Sequence, residues 1–169
     1  MLKRIARLRV PLGFAFGAIV LWLARPSGRT LMAGAAIALI GELVRIWAAG
    51  HLEKGREVTS SGPYAFTRHP LYLGSTIIGI GLAVGAGSWS VAAIVLAYLV
   101  VTLTAAMRTE EAHLTEKFGA AYPAYRAGRM SVERTFSLER ALRNREYRAA
   151  IGVFVVLLVL WLKTRAPIW

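Results

Sequence analysis

The residue types that could do chemistry gather in Gly62 to Gly74, G-P-Y-A-F-T-R-H-P-L-Y-L-G, a basic and aromatic turn directly before a long apolar run. Pro70 lacks a backbone N–H and has its φ preset for the first turn of a helix. It also keeps His69 out of helical geometry, so a helix is expected to begin there. The first N–H groups and positive dipole end of that helix would face the same space as Arg68 and His69. Such an arrangement suits an anion, either a carboxylate or a phosphate. Tyr64 and Tyr72 belong to the same stretch.

A second constellation runs from Arg108 to Arg126, R-T-E-E-A-H-L-T-E-K-F-G-A-A-Y-P-A-Y-R. Leu103, Met107, Glu110 and Leu114 fall on a 3-4 spacing, which predicts that Glu110 points inward with three apolar residues. An inward carboxylate needs a cationic partner: Arg68, the neighbouring Arg108, or the ammonium of a ligand. Gly119 reads as a helix C-cap, after which Tyr122 and Tyr125 offer two rings to one face. Tyrosines near a bilayer otherwise serve as interfacial anchors. Glu42 and Arg45, three residues apart in an apolar segment, read as a mutually neutralising pair. No metal site is expected, because the chain has no cysteine and His51, His69 and His113 occupy separate segments without ligand spacing.

The elements that must position these residues are membrane helices. With 169 residues, 56% of them hydrophobic, and a mean hydropathy of +0.51, the chain reads as one all-α polytopic membrane domain over residues 1–169. Apolar segments at residues 10–24, 30–50, 71–87, 89–107 and 149–162 predict about five transmembrane helices. The short connections 25–29 and 85–88 predict antiparallel hairpins. Lys3, Arg4, Arg7 and Arg9 precede the first segment without an A-x-A cleavage pattern, so it reads as an uncleaved helix. With the N-terminus inside, sixteen of the 21 basic residues fall on the cytosolic face and four on the other, with Arg45 inside the second span. That asymmetry places both polar loops, residues 51–69 and 108–148, on the cytosolic side. It also accounts for the net charge of +12 without nucleic acid, since the basic residues lie between apolar segments. Gly13 with Gly17, and Gly81 with Gly85, are steps at which helices can approach closely.

Cations and helix N–H groups at one end, carboxylates at the other and aromatics between suit a zwitterionic, amino-acid-like cofactor. S-adenosylmethionine fits, its sulfonium being tolerated near tyrosine faces and carboxylates. No glycine-rich G-x-G-x-x-G follows a strand pattern, which excludes a soluble Rossmann methyltransferase.

The combination G-P-Y-x-x-x-R-H-P-x-Y-x-G, then E-E, then F-G-x-x-Y-x-x-Y resembles the isoprenylcysteine carboxyl methyltransferase family and, more broadly, the membrane phospholipid methyltransferases. The resemblance covers roughly residues 45–126. It implies a multi-span helical enzyme that binds S-adenosylmethionine at the cytosolic face and takes a lipidic or small membrane-partitioned acceptor from the bilayer. By position, it implies cofactor contacts from Arg56, Glu57, Val58 and Thr59, from Tyr64, from His69, Pro70, Leu71 and Tyr72, and from Glu110. It also implies an acceptor-side role for Arg108. Arg56 and Ser61 stand where the family often has a histidine. Arg68 or Arg108 would orient a carboxylate acceptor, while Glu111 is the nearest base for an amine or thiol. Residues 127–148 form a basic amphipathic segment expected on the anionic membrane surface, and residues 149–162 an extra C-terminal span.

Two other functions fit parts of the sequence. An NADPH-dependent enzyme of the sterol-reductase type has a comparable basic-aromatic turn, although the Glu110–Glu111 pair would repel a pyrophosphate. A membrane scaffold binding anionic lipid would explain the charges but not the motifs.

Overall fold

The computed structural model describes residues 16–129 and 133–165. Helical residues 16–23, here α1, lead to α2 (Gly28–His51), a 3-10 turn (Gly62–Ala65), α3 (Pro70–Gly85), α4 (Trp89–Phe118), α5 (Ala121–Arg126), α6 (Leu138–Arg143) and α7 (Tyr147–Arg165). Among the described residues there is no strand.

Local chemistry sets the helix ends. Ser27 caps α2 reciprocally with Thr30: the Thr30 N–H donates to Ser27 Oγ at 3.2 Å and the Ser27 N–H donates to Thr30 Oγ1 at 2.9 Å. Helix α3 starts at Pro70, as the proline predicts, with His69 at its N-cap outside helical geometry (φ −132°, ψ 56°) and no side-chain cap. Gly119 ends α4 with a φ of 50°, a left-handed value that glycine adopts without a Cβ penalty.

Helices α2, α4 and α7 are long and apolar enough to cross a membrane. Helix α3 is apolar but has only 16 residues, about 24 Å at 1.5 Å per residue, short of the ~30 Å hydrocarbon core. The first expected span, residues 10–24, is described from residue 16 onward, while Gly13 and the basic flank lie outside the described residues. Three candidate spans therefore stand among the described residues where the sequence predicts about five across the whole chain. Much of α4 and α7 is apolar and exposed, as at Val100, Val101, Ile151 and Phe154, which suits contact with lipid.

The tightest packing is between α2 and α3, where their backbones touch. A Cβ on Gly34 would lie 2.4 Å from the Gly81 carbonyl oxygen, and one on Gly41 would lie 2.7 Å from that of Gly74. The close approach expected of Gly81 thus occurs within the chain. At one pole Ala24, Ala83, Ala86, Val91, Val95 and Leu160 form an apolar cluster, tied by the Arg25 N–H donating to the Ala86 carbonyl at 2.7 Å. At the other pole meet the C-terminal ends of α2 and α4 and the N-terminal ends of α3 and α7. The candidate chemistry lies there.

The basic segment before α7 is anchored to the protein. Asn144 Nδ2 donates to the carbonyls of Ala49 and Leu52 at 2.9 and 2.8 Å, and the Ser137 N–H donates to the Gly50 carbonyl at 3.1 Å. These bonds satisfy carbonyls that the last turn of α2 cannot pair internally. Arg140 adds its charge at the negative end of the helix by donating to the same Gly50 carbonyl.

Candidate functional site

The two motifs meet at a single carboxylate. Arg68 donates to Glu111 Oε1 at 2.9 Å, and His69 Nε2 lies 3.0 Å from the same oxygen. The residue that answers Arg68 and His69 is therefore Glu111, while Glu110 is exposed. The 3-4 pattern could not separate the two: from Met107, Glu110 is turned about 60° one way and Glu111 about 40° the other. Glu111 is half-buried and takes both contacts while Glu110 is exposed, and the inward orientation expected of Glu110 is corrected on that ground.

A second bond joins the motifs through the aromatics. The Tyr125 hydroxyl donates to the Tyr64 carbonyl at 2.7 Å, tying α5 to the 3-10 turn. Tyr64 and Tyr122 are buried, and the His69 and Tyr72 rings lie 5.6 Å apart. Burial and then the charge of Glu110 push the Tyr64 hydroxyl up. Burial, then Tyr122, pushes Tyr125 up to about 12. Tyr122 is raised by burial and by Glu111, whose charge it feels although its buried hydroxyl makes no hydrogen bond of ordinary geometry. All three phenols are therefore neutral near pH 7 and act as hydrogen-bond groups, not as phenolate bases.

Beneath this cluster, Arg45 does not pair with Glu42 as the sequence suggests. Its Nε donates to Glu146 Oε1 at 2.5 Å, and its NH1 donates to Ser75 Oγ at 2.6 Å and to the Leu71 carbonyl at 3.3 Å. Glu42 is buried and neither carboxylate oxygen has a hydrogen-bond partner among the described residues. The expected neutralising pair is thus replaced by a longer-range one. Adjacent turns of a helix bring Glu42 near Arg45, but the guanidinium extends toward α3, where it finds two oxygens besides the carboxylate.

The stretch before the 3-10 turn is held from the C-terminal side. Glu53 receives Arg140 at 2.9 Å, Arg143 at 3.2 Å and Arg134 at 3.6 Å, and Glu57 receives Arg134 at 2.5 Å. Burial pushes the Glu53 carboxyl up, but the Arg140 hydrogen bond and the charges of Arg143, Arg140 and Arg134 outweigh it and hold it below the usual range. Val58 and Thr59 are buried, and Thr59 Oγ1 accepts the Glu53 N–H at 3.1 Å. Arg56 and Arg108 are exposed. Glu146, Arg134 and Arg140 were not singled out by sequence reasoning. Their only signal was carboxylates and guanidiniums alternating in a segment otherwise read as a lipid-facing surface.

Residues 29–121 match the phospholipid methyltransferase family, which is more than half of the chain. The chain belongs to that family. It is 32% identical over 89 residues to the cobalt-zinc-cadmium resistance protein CzcN of Cupriavidus metallidurans, an alignment covering 52% of this chain and 40% of that protein. The same identity and coverage relate it to the nickel-cobalt-cadmium resistance protein NccN of Alcaligenes xylosoxydans xylosoxydans. The matched region is thus about 40% of the length of these curated relatives. No solved structure matches the chain. The family match takes in Arg56 to Thr59, Tyr64, Arg68 to Tyr72 and Arg108 to Glu111, and stops before Tyr122, Tyr125 and Glu146. It favours methyl transfer over the reductase alternative.

Proposed function

We propose that this phospholipid methyltransferase family member is an integral membrane enzyme that transfers a methyl group from S-adenosylmethionine to a membrane-associated acceptor. The observation that carries the reading is the convergence of Arg68 and His69 on Glu111 at the pole where the 3-10 turn and α5 also close.

The residues suit such a cofactor. Arg68 is partly exposed and has five N–H donors, so it can serve a second anion besides Glu111. Helix α3 presents an N-terminus without a side-chain cap beside it, and together they would hold a carboxylate. Glu110, exposed and near enough to act on Tyr64, would hold an ammonium. Tyr122 offers a buried hydroxyl with no hydrogen-bond partner among the described residues. Arg56, Glu57, Val58, Thr59, Tyr64, Pro70, Leu71 and Tyr72 complete the proposed cofactor contacts. When bound, the cofactor supplies a methyl group activated on a sulfonium.

The protein's part is alignment, with the buried Tyr64 and Tyr122 keeping water from the floor of the site. Arg68 and Arg108 would orient an acceptor carboxylate. For an amine or thiol, the neutral tyrosines are poor bases, and Glu111 is the carboxylate nearest the cations. The site is proposed to face the cytosol with the N-terminus on the same side. Residues 10–24 and α3 would provide two further crossings.

The test is ligand-dependent stability. Purified protein should melt at higher temperature with S-adenosylhomocysteine, and His69→Ala and Glu110→Ala should abolish that rise. No rise in the wild type, or protection by NADPH instead, would overturn the reading. Labelled S-adenosylmethionine given to membranes containing the protein should mark a lipid-phase product, whose analysis identifies the acceptor.

A further inference from the structure

The two stretches proposed to hold the cofactor, residues 56–59 and 69–72, lie inside the family match, yet both are held by residues beyond its end. Glu146 is 7% exposed and receives Arg45 Nε at 2.5 Å. The same guanidinium reaches the Leu71 carbonyl and the Ser75 hydroxyl, on the first two turns of α3. Its stem crosses α3 at Gly74, where a Cβ would lie 2.5 Å from Arg45 Cγ, so the close passage depends on glycine. Arg45 is therefore pinned between one carboxylate and two oxygens at the start of α3, the Leu71 carbonyl lying in the turn that also carries Tyr72 and follows His69. On the other side, Arg134 holds Glu57 at 2.5 Å.

We infer that Glu146 is a positioning residue for the cofactor site: through Arg45 it fixes the first turn of α3, and with it His69, against Glu111. The inference rests on the S-adenosylmethionine reading above. A half-buried guanidinium that loses its carboxylate is driven toward another. Glu42, three residues earlier on the same helix and buried with no hydrogen-bond partner among the described residues, is the alternative. In Glu146→Gln, Arg45 turns toward Glu42 and leaves the Leu71 carbonyl and Ser75. The protein keeps its charge pairing and its fold, but α3 loses the strut that sets its first turn. Displacements of about 1 Å at a site are enough to cost large factors in binding and rate.

The full chain in detergent provides the test, with Glu146→Gln, Glu146→Asp and wild type compared. Glu146→Gln should weaken S-adenosylhomocysteine binding about tenfold or more and raise the KM for S-adenosylmethionine more than it lowers kcat. Glu146→Asp, which keeps the charge, should recover most of the affinity. A readout free of ligand is the imidazole resonance of His69 in isotope-labelled protein, which should shift in Glu146→Gln and return toward wild type in Glu146→Asp. Equal affinity in wild type and Glu146→Gln, or an unmoved His69 resonance, overturns the inference. If His69 moves but wild type binds no S-adenosylhomocysteine, the strut stands and the cofactor reading falls.

Discussion

The Tyr125 hydroxyl donates a 2.7 Å hydrogen bond to the backbone carbonyl of Tyr64, 61 residues earlier. That bond closes α5 over the 3-10 turn on which Tyr64 sits. It acts beside the Arg68 and His69 contacts to Glu111, so the two motifs are joined at a backbone carbonyl as well as at a carboxylate.

Removing the Tyr125 hydroxyl alone leaves the Tyr64 carbonyl without that donor in a partly buried place. Tyr125→Phe should therefore cost about 1–2 kcal/mol, seen as a lower melting temperature of the ligand-free protein. It should also reduce protection by S-adenosylhomocysteine, since the turn bearing Tyr64 is freer to move. An unchanged melting temperature would show that the bond contributes nothing.

Glu111 and Glu110 are neighbours in the chain and should behave differently. Glu111→Gln removes the carboxylate charge that meets Arg68 and His69, leaving the Arg68 guanidinium without its counter-charge. It should lower stability by about 1–3 kcal/mol, and ligand binding with it. Glu110→Gln alters an exposed side chain, so its effect should fall on ligand affinity with the melting temperature changed little. Melting curves with and without S-adenosylhomocysteine for both variants separate the two roles, and a reversal of the pattern would return the inward position to Glu110.

Much of this pole was legible in the sequence because its signals are local. Pro70 names the start of α3 and Gly119 the end of α4. The charge and aromatic content of 62–74 and 108–126 marks both as candidate surfaces of one site. What periodicity could not supply was the choice between Glu110 and Glu111, which lie on either side of the inward line. Nor could it foresee that Arg45 would pass over Glu42 for Glu146, 101 residues away, because that choice depends on how closely α2 approaches α3. The docking of residues 134–146 on the end of α2 is likewise a tertiary event. Alternating Arg and Glu in that segment fit a solvated or lipid-facing surface equally well.

The Glu53 cluster makes stability depend on pH. Its arginine partners favour the ionised carboxylate in the native protein, so its native pKa lies below the ordinary value of 4.5. The stability it contributes is complete well above pH 4.5 and is lost as pH falls through the lower native pKa, when the folded protein too must take up the proton. Wild type should lose melting temperature on acidification through this range more steeply than Glu53→Gln, which has no carboxylate to protonate. Parallel curves would remove Glu53 from the account of acid stability.

Glu42 presents the opposite case, a buried carboxylate that neither donors nor its helix neighbour Arg45 satisfies in the native arrangement. A polar group buried without a partner costs about 1–3 kcal/mol, and an apolar side chain of similar volume removes that cost. Glu42→Met should therefore raise the melting temperature, unlike nearly every other substitution of a buried residue in α2. Arg45 keeps Glu146, Ser75 and the Leu71 carbonyl, so ligand affinity should be preserved. Combined with Glu146→Gln, however, the same change removes the carboxylate to which Arg45 would turn and leaves a half-buried guanidinium without a counter-charge. The double variant should lose about 1–3 kcal/mol more than the sum of the single effects, because only the pair deprives Arg45 of both carboxylates. Strict additivity in thermal or denaturant unfolding would show that Glu42 never serves Arg45.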